Sequence, residues 1–133
     1  MAVVANWEVT VSGLNKTQSL ALAIEFWTGQ GYLEHQSSYN RIVFRKNGYG
    51  SVTSGIKFLL NSDDVPWEQA PIELTVHFQV LPNEAKYHLS FTLGGGGGLH
   101  EKEEGDFSKY VSGLCDAFLA FNQEWIGGDF LIE

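Results

Sequence analysis

The chain has 133 residues, a size that suits one domain with its own hydrophobic core. Hydrophobic residues make up 44% and charged residues 18%, a balance typical of a packed globular protein and not of a disordered chain. The formal net charge of −8 argues against nucleic acid and membrane as partners, because both attract basic surfaces. With no signal peptide and no membrane-spanning stretch in the sequence, we expect a single cytoplasmic domain over residues 1–133.

The first two elements are a strand and a helix. Apolar and polar residues alternate from Trp7 to Ser12, which predicts a strand with one buried face. Asn15 and Gln18 have the spacing of a capping box, in which each side chain accepts a hydrogen bond from the other residue's backbone N–H. They predict a helix that ends at Gly29.

The segment from Tyr32 to Lys46 is predicted to be a single strand. Its alternation directs Ile42 and Phe44 towards the core. The opposite face takes Arg41, Val43 and Arg45. These arginines belong to a basic segment, residues 35–60, which carries four basic residues and no acid in an otherwise acidic chain.

The dipeptide Asn47-Gly48 is the strongest short hairpin signal in the chain, because a type I′ turn needs positive φ at both central residues. It predicts a return strand over residues 49–60 that pairs Phe44 with Ser51. Two glycines interrupt that strand, so the sequence does not fix its register.

A long hairpin is predicted over residues 72–93, with its turn centred on residues 83 and 84. One face is wholly apolar, and the other carries polar side chains. In this pairing His77 lies opposite Ser90 and diagonal to His88. The hairpin therefore packs on helices with one face and meets water or a polar partner with the other.

The last predicted element is a helix from Asp106 to Trp125, with Asp106 as its N-cap. Its apolar residues recur at alternating four- and three-residue steps, and their arc spans roughly 200°. One sheet face covers only about half of that width, so the first helix is predicted to cover the rest. Leu119 and Ile126 lie at the edge of the arc and are candidates for an interface with a second copy.

The element order β-α-β-β-β-β-α predicts an α+β domain, with an antiparallel sheet of about five strands and both helices on one face. This order resembles the half-domain topology of TATA-box-binding proteins. It also resembles a reduced form of helix-grip domains, in which a long C-terminal helix lies across a curved sheet. The resemblance is one of topology, so no functional residue is carried over from either family.

No catalytic constellation is visible in the sequence. The glycine run 94–98 lacks the lysine of a phosphate-binding loop and precedes several acids, which indicates a flexible connector. His77 and His88 lack the further ligands of a zinc site, and the lone Cys115 is expected to be a buried thiol. We therefore predict no catalytic residue, no metal and no cofactor.

The residues that favour binding are Arg41, Arg45, His77, His88 and Ser90, which are expected on one open sheet face suited to an acidic protein segment or an anionic ligand. The leading hypothesis is a binding or adaptor module that acts through a protein partner or by self-association. One alternative is a carrier of a small apolar ligand held between the long helix and the sheet. A metal-dependent enzyme is the third.

Overall fold

The computed structural model describes residues 3–50, 67–82, 84–94 and 101–128. They form an α+β fold in the predicted order, with a five-stranded antiparallel sheet and two helices. The strands are β1 (Val3–Ser12), β2 (Leu33–Ser38), β3 (Arg41–Lys46), β4 (Ile72–Leu81) and β5 (Glu84–Leu93). The helices are α1 (Lys16–Gly29) and α2 (Glu101–Gly128), and a short 3-10 helix spans Trp67–Gln69. The glycines at positions 95–98 and residues 51–60 of the predicted return strand lie outside the described ranges.

The sheet order is β1-β5-β4-β3-β2, so β4 and β5, which have ten residues each, are both flanked by other strands. Their apolar residues alternate onto the predicted face and are buried beneath both helices, except for Val80 and Leu81 beside the turn. The two helices also contact each other: the ring centroid of Phe26 in α1 lies 5.3 Å from that of Phe118 in α2. Helix α1 is therefore the second neighbour that the wide apolar arc of α2 requires.

Helix α1 confirms the predicted capping box. The backbone N–H of Gln18 donates to Asn15 Oδ1 at 2.9 Å, and the backbone N–H of Asn15 donates to Gln18 Oε1 at 3.0 Å. The helix ends at Gly29, and the N–H of Tyr32 donates back to the carbonyl of Trp27 at 3.0 Å. This closing bond needs Gly31 in the left-handed region, with φ of +92°.

Helix α2 begins at Glu101, five residues before the predicted N-cap, so the assignment of Asp106 as the cap is wrong. Three of the first four helical residues are glutamates. Negative charge in the first turn of a helix interacts favourably with its positive end. The added turns therefore come from the acidic stretch that follows the glycine run.

The segment from Tyr32 to Lys46 is a hairpin and not the single strand predicted. Strands β2 and β3 pair from Leu33 opposite Arg45 to Ser38 opposite Arg41. Neither of the two turn residues, Tyr39 and Asn40, adopts positive φ. The turn therefore does not need the Asn-Gly type of sequence by which a type I′ turn is predicted. The division leaves β2 as a sheet edge whose six side chains are all exposed.

Both residues of the predicted Asn47-Gly48 turn do adopt positive φ, 57° and 76°. The predicted pairing of Phe44 with Ser51 is nevertheless wrong, since Phe44 pairs with Leu74 on one side and Glu34 on the other. Strand β3 thus has both of its edges occupied.

The β4–β5 hairpin has the predicted faces but a different register. Its turn follows Leu81, which pairs with Glu84, so the turn lies one residue earlier than predicted. This moves every pairing by two positions and leaves each side chain on its predicted face. The change places His77 directly opposite His88 and not opposite Ser90.

Candidate binding face of the sheet

The sheet face opposite the helices carries mostly polar side chains. We call it the open face, and its central part is formed by Asn6, Glu8, Arg41, His77, His88 and Ser90. These residues alternate with the buried side chains of β1, β3, β4 and β5, because successive residues of a strand point to opposite faces. The regular alternation that builds the core therefore also builds this surface.

Four residues of the open face form a continuous row across four strands. Glu8 lies opposite His88, His88 opposite His77, and His77 opposite Arg41. Neighbouring strands are about 4.8 Å apart, so Arg41 and His88 are separated by about 10 Å. One fixed cation and two imidazoles thus share a short line on the surface.

An open hollow of about 480 Å³ lies beside this row. His77, His88 and Glu8 line it together with Asn6 and Ser90, which face each other in the next row. The amide of Asn6 and the hydroxyl of Ser90 each donate and accept hydrogen bonds. The hollow therefore brings together imidazole, hydroxyl and amide groups and the carboxylate of Glu8.

Glu8 anchors the acidic end of the row. Its Oε2 lies 3.4 Å from Nδ1 of His88, and its Oε1 lies 4.0 Å from Nζ of Lys86. About half of the Glu8 side chain is exposed, so the solvent weakens both contacts. Arg41, at the other end, is exposed and forms no ion pair within the part of the chain that the structure describes.

Arg45 is the one predicted site residue that does not join this group. It lies four residues along β3 from Arg41, a separation of about 13 Å. Its Nε donates to Glu73 Oε2 at 2.9 Å, and its guanidinium lies 5.3 Å from the ring centroid of Tyr49. The charge of Arg45 is therefore already matched inside the protein, whereas Arg41, His77, His88 and Ser90 lie together.

The sequence analysis missed Glu8 as a member of the site. Alternation in β1 placed Glu8 on the polar face, but no local pattern shows which strand lies beside β5. The pairing of β1 with β5 joins residues 80 positions apart at Glu8 and His88. Such a contact follows from the sheet order alone.

The other predicted residues are located as follows. Leu119 and Ile126 are partly buried and pack against the core of their own chain. Among the described residues, the large apolar side chains that are exposed are instead Val4, Leu33, Tyr39 and Val80. An interface through Leu119 and Ile126 stays a prediction.

The described residues form neither a metal-binding group nor a reactive thiol. No group of three or more His, Cys, Asp or Glu side chains there is arranged to hold a metal ion. Cys115 is buried, and burial raises the pKa of its thiol to about 12. A thiol with so high a pKa carries almost no thiolate at neutral pH, so it is a poor nucleophile.

Comparison with protein-family models, curated proteins and solved structures found no match to this chain. Within the described ranges, none of the helices combines the length and the apolar character needed to span a bilayer.

Proposed function

We propose that the protein is a non-enzymatic binding module that holds an acidic segment of a partner protein on its open face. The observation that carries this proposal is the row of Arg41, His77 and His88 beside the 480 Å³ hollow. Groups in this row that lack an internal ion partner are available to a ligand's carboxylates. Charge-assisted hydrogen bonds to carboxylates are the stronger kind, particularly those that arginine donates.

The charge distribution also favours an acidic segment at this place. Residues 61–133 carry a net charge of −10, so most of the chain repels an acidic partner. Arg41 and the two imidazoles form a local exception on an acidic protein. A positive patch within a negative surface orients an approaching partner, because attraction is limited to one region.

The apolar-ligand carrier receives less support from the packing. Aromatic side chains occupy the space between α2 and the sheet: the ring centroid of Phe118 lies 4.7 Å from that of Tyr87 and 5.3 Å from that of Trp27. These separations are those of rings in contact. We therefore propose the open face as the binding surface and not the interior. Action in the cytoplasm and self-association remain predictions from the sequence.

The test is a nuclear magnetic resonance titration of the ¹⁵N-labelled protein with a synthetic peptide of alternating Glu and Gly. At pH 6 we expect amide shifts concentrated in β1, β3, β4 and β5 around His77. Arg41→Glu is expected to weaken binding by about tenfold, because it replaces attraction with repulsion at an exposed site. Lys109→Glu makes the same charge change on the exposed surface of α2 and serves as the matched control.

Shifts confined to the two helices would contradict the proposal. So would equal weakening by Arg41→Glu and Lys109→Glu, since that result would assign binding to overall charge. A peptide of alternating Gln and Gly tests the requirement for carboxylates, and we expect no binding from it.

A further inference from the structure

We infer that the open face is a carboxylate-binding site that His77 and His88 gate by taking up protons, so that it holds its ligand at mildly acidic pH and releases it near neutrality. This inference rests on the proposed function and names how the same site is regulated. It follows from the direct pairing of the two histidines and from the charges that surround them.

The charged groups around the two imidazoles come from three strands. Strand β1 contributes Glu8, β5 contributes Lys86, and β3 contributes Arg41 opposite His77. On β4, the residues that flank His77 on the open face are the uncharged Thr75 and Gln79. With neutral imidazoles these groups leave one net positive charge, and with both imidazoles protonated they leave three.

Glu8 shows that the row already accommodates a carboxylate. Its carboxylate lies beside both His88 and Lys86, at 3.4 and 4.0 Å. A protonated imidazole donates from both of its ring nitrogens, whereas a neutral one donates from a single nitrogen. Protonated His88 therefore keeps one donor for Glu8 and gains one for a ligand.

The pH range follows from ordinary side-chain chemistry. Histidine is the side chain whose charge normally changes between about pH 5 and 8. Glutamate and aspartate in an unstructured segment have ordinary pKa values of about 4.3 and 3.9. Between about pH 5 and 6 an acidic segment is thus mostly ionised, while histidine side chains gain positive charge.

The first experiment measures the affinity of a rhodamine-labelled Glu-Gly peptide by fluorescence anisotropy at pH 5.5 and 7.5, at one ionic strength. We expect about tenfold tighter binding at pH 5.5, the sum of two exposed charge interactions. In the double variant His77→Gln, His88→Gln we expect the two affinities to agree within about twofold. His35→Gln is the matched control, because His35 is an exposed histidine on the edge strand β2.

A second variant tests the role of Glu8. Glu8→Gln removes the internal carboxylate that competes for His88, so we expect about threefold tighter peptide binding at pH 5.5. Weaker binding would show that Glu8 supports the site and does not compete with the ligand. All of these positions are exposed, and circular dichroism at both pH values checks that each variant is folded.

The results separate the two proposals. If the peptide binds equally well at both pH values, or if the double histidine variant keeps the tenfold change, the protonation gate is wrong and the binding function stands. If the peptide binds at neither pH, the proposed function fails together with the gate.

Discussion

The two faces of the sheet are made by the same strands, yet they differ in almost every physical property. On the covered face Leu74, Tyr87 and Phe91 are fully buried beneath the helices. On the open face their neighbours His77 and His88 are exposed. Because strand side chains alternate between faces, we expect a substitution at one residue to act on stability and a substitution at the next to act on the proposed binding. The proposal therefore predicts that stability and binding can be changed separately.

The largest expected effect lies on the covered side, at Phe118. This residue is fully buried, and its ring contacts those of Phe26, Trp27 and Tyr87. We expect Phe118→Ala to lower the free energy of unfolding by about 3–5 kcal/mol, because it removes buried apolar area and leaves a cavity. Urea denaturation followed by circular dichroism measures this change.

Phe121→Ala is the matched control for Phe118→Ala, since Phe121 is a partly buried phenylalanine on the same helix. We expect Phe121→Ala to lower the free energy of unfolding by less than Phe118→Ala does. Equal costs would show that the covered side is packed less tightly at Phe118 than its burial indicates. At temperatures where both variants are folded, their affinity for an acidic peptide is expected to match that of the parent protein.

The next effect concerns the polar contact buried within the covered side. The hydroxyl of Tyr87 lies 3.0 Å from Asn122 Oδ1 and 3.3 Å from the carbonyl of Ser19, and Asn122 Nδ2 donates to the carbonyl of Phe118 at 2.7 Å. We expect Asn122→Leu to lower the free energy of unfolding by about 1–3 kcal/mol, because it removes a partner of a buried hydroxyl.

A double-mutant cycle with Tyr87→Phe tests whether the two side chains act together. Once the hydroxyl is absent, Asn122→Leu no longer removes a partner from it. We therefore expect a coupling energy of about 1 kcal/mol between the two substitutions. Strictly additive costs would contradict the contact.

Asn122 also marks a limit of prediction from the sequence. The periodicity of α2 predicts an apolar face, and that face is present, but its buried line runs through Phe107, Val111, Cys115, Phe118 and Asn122. Leu114 and Phe121, which belong to the predicted stripe, are only partly buried. The hydroxyl of Tyr87 on the facing sheet favours Asn122 at this position, and a helical period carries no information about a partner on β5.

The same distinction holds for the sheet and the site. Alternation placed His77, His88 and Ser90 on one face correctly, because a shift of two positions preserves the face. It missed the direct pairing of the histidines, which depends on where the turn begins. It also treated Gly94 as part of a flexible run. Gly94 in fact donates its N–H to the carbonyl of Pro71 at 2.7 Å, and a side chain there would lie 3.3 Å from that proline.

On the open face the expected effect on stability is smaller. Glu73→Gln breaks the ion pair between Glu73 and Arg45. Both of these side chains are partly exposed to solvent. We expect a decrease of at most about 1 kcal/mol in the free energy of unfolding, and a smaller one at high salt. Glu34→Gln, at an exposed glutamate on β2, is the matched control. A cost as large as that of Phe118→Ala would erase the difference between the two faces.

The smallest expected change in the free energy of unfolding is at Tyr32 on the covered side, where a substitution is expected to stabilise the protein and not to destabilise it. Tyr32 is fully buried like Tyr87, but its hydroxyl has no hydrogen-bond partner among the residues that the structure describes. An unpaired buried hydroxyl opposes folding, so we expect Tyr32→Phe to leave the free energy of unfolding unchanged or to raise it by up to about 1 kcal/mol. Tyr87→Phe is the matched control, and we expect it to lower the same quantity.

The pH dependence of the free energy of unfolding tests independently whether the Tyr32 hydroxyl is buried. Burial raises the pKa of Tyr32 well above its ordinary value. Above about pH 10 the unfolded chain therefore loses the proton of this phenol while the folded chain keeps it, and the free energy of unfolding falls as the pH rises. Tyr32→Phe removes this contribution, so we expect a shallower fall between pH 10 and 11. The free energy of unfolding is measured by urea denaturation at each pH. If it falls equally steeply with pH in Tyr32→Phe and in the parent protein, the Tyr32 hydroxyl is not held in a buried, unpaired state.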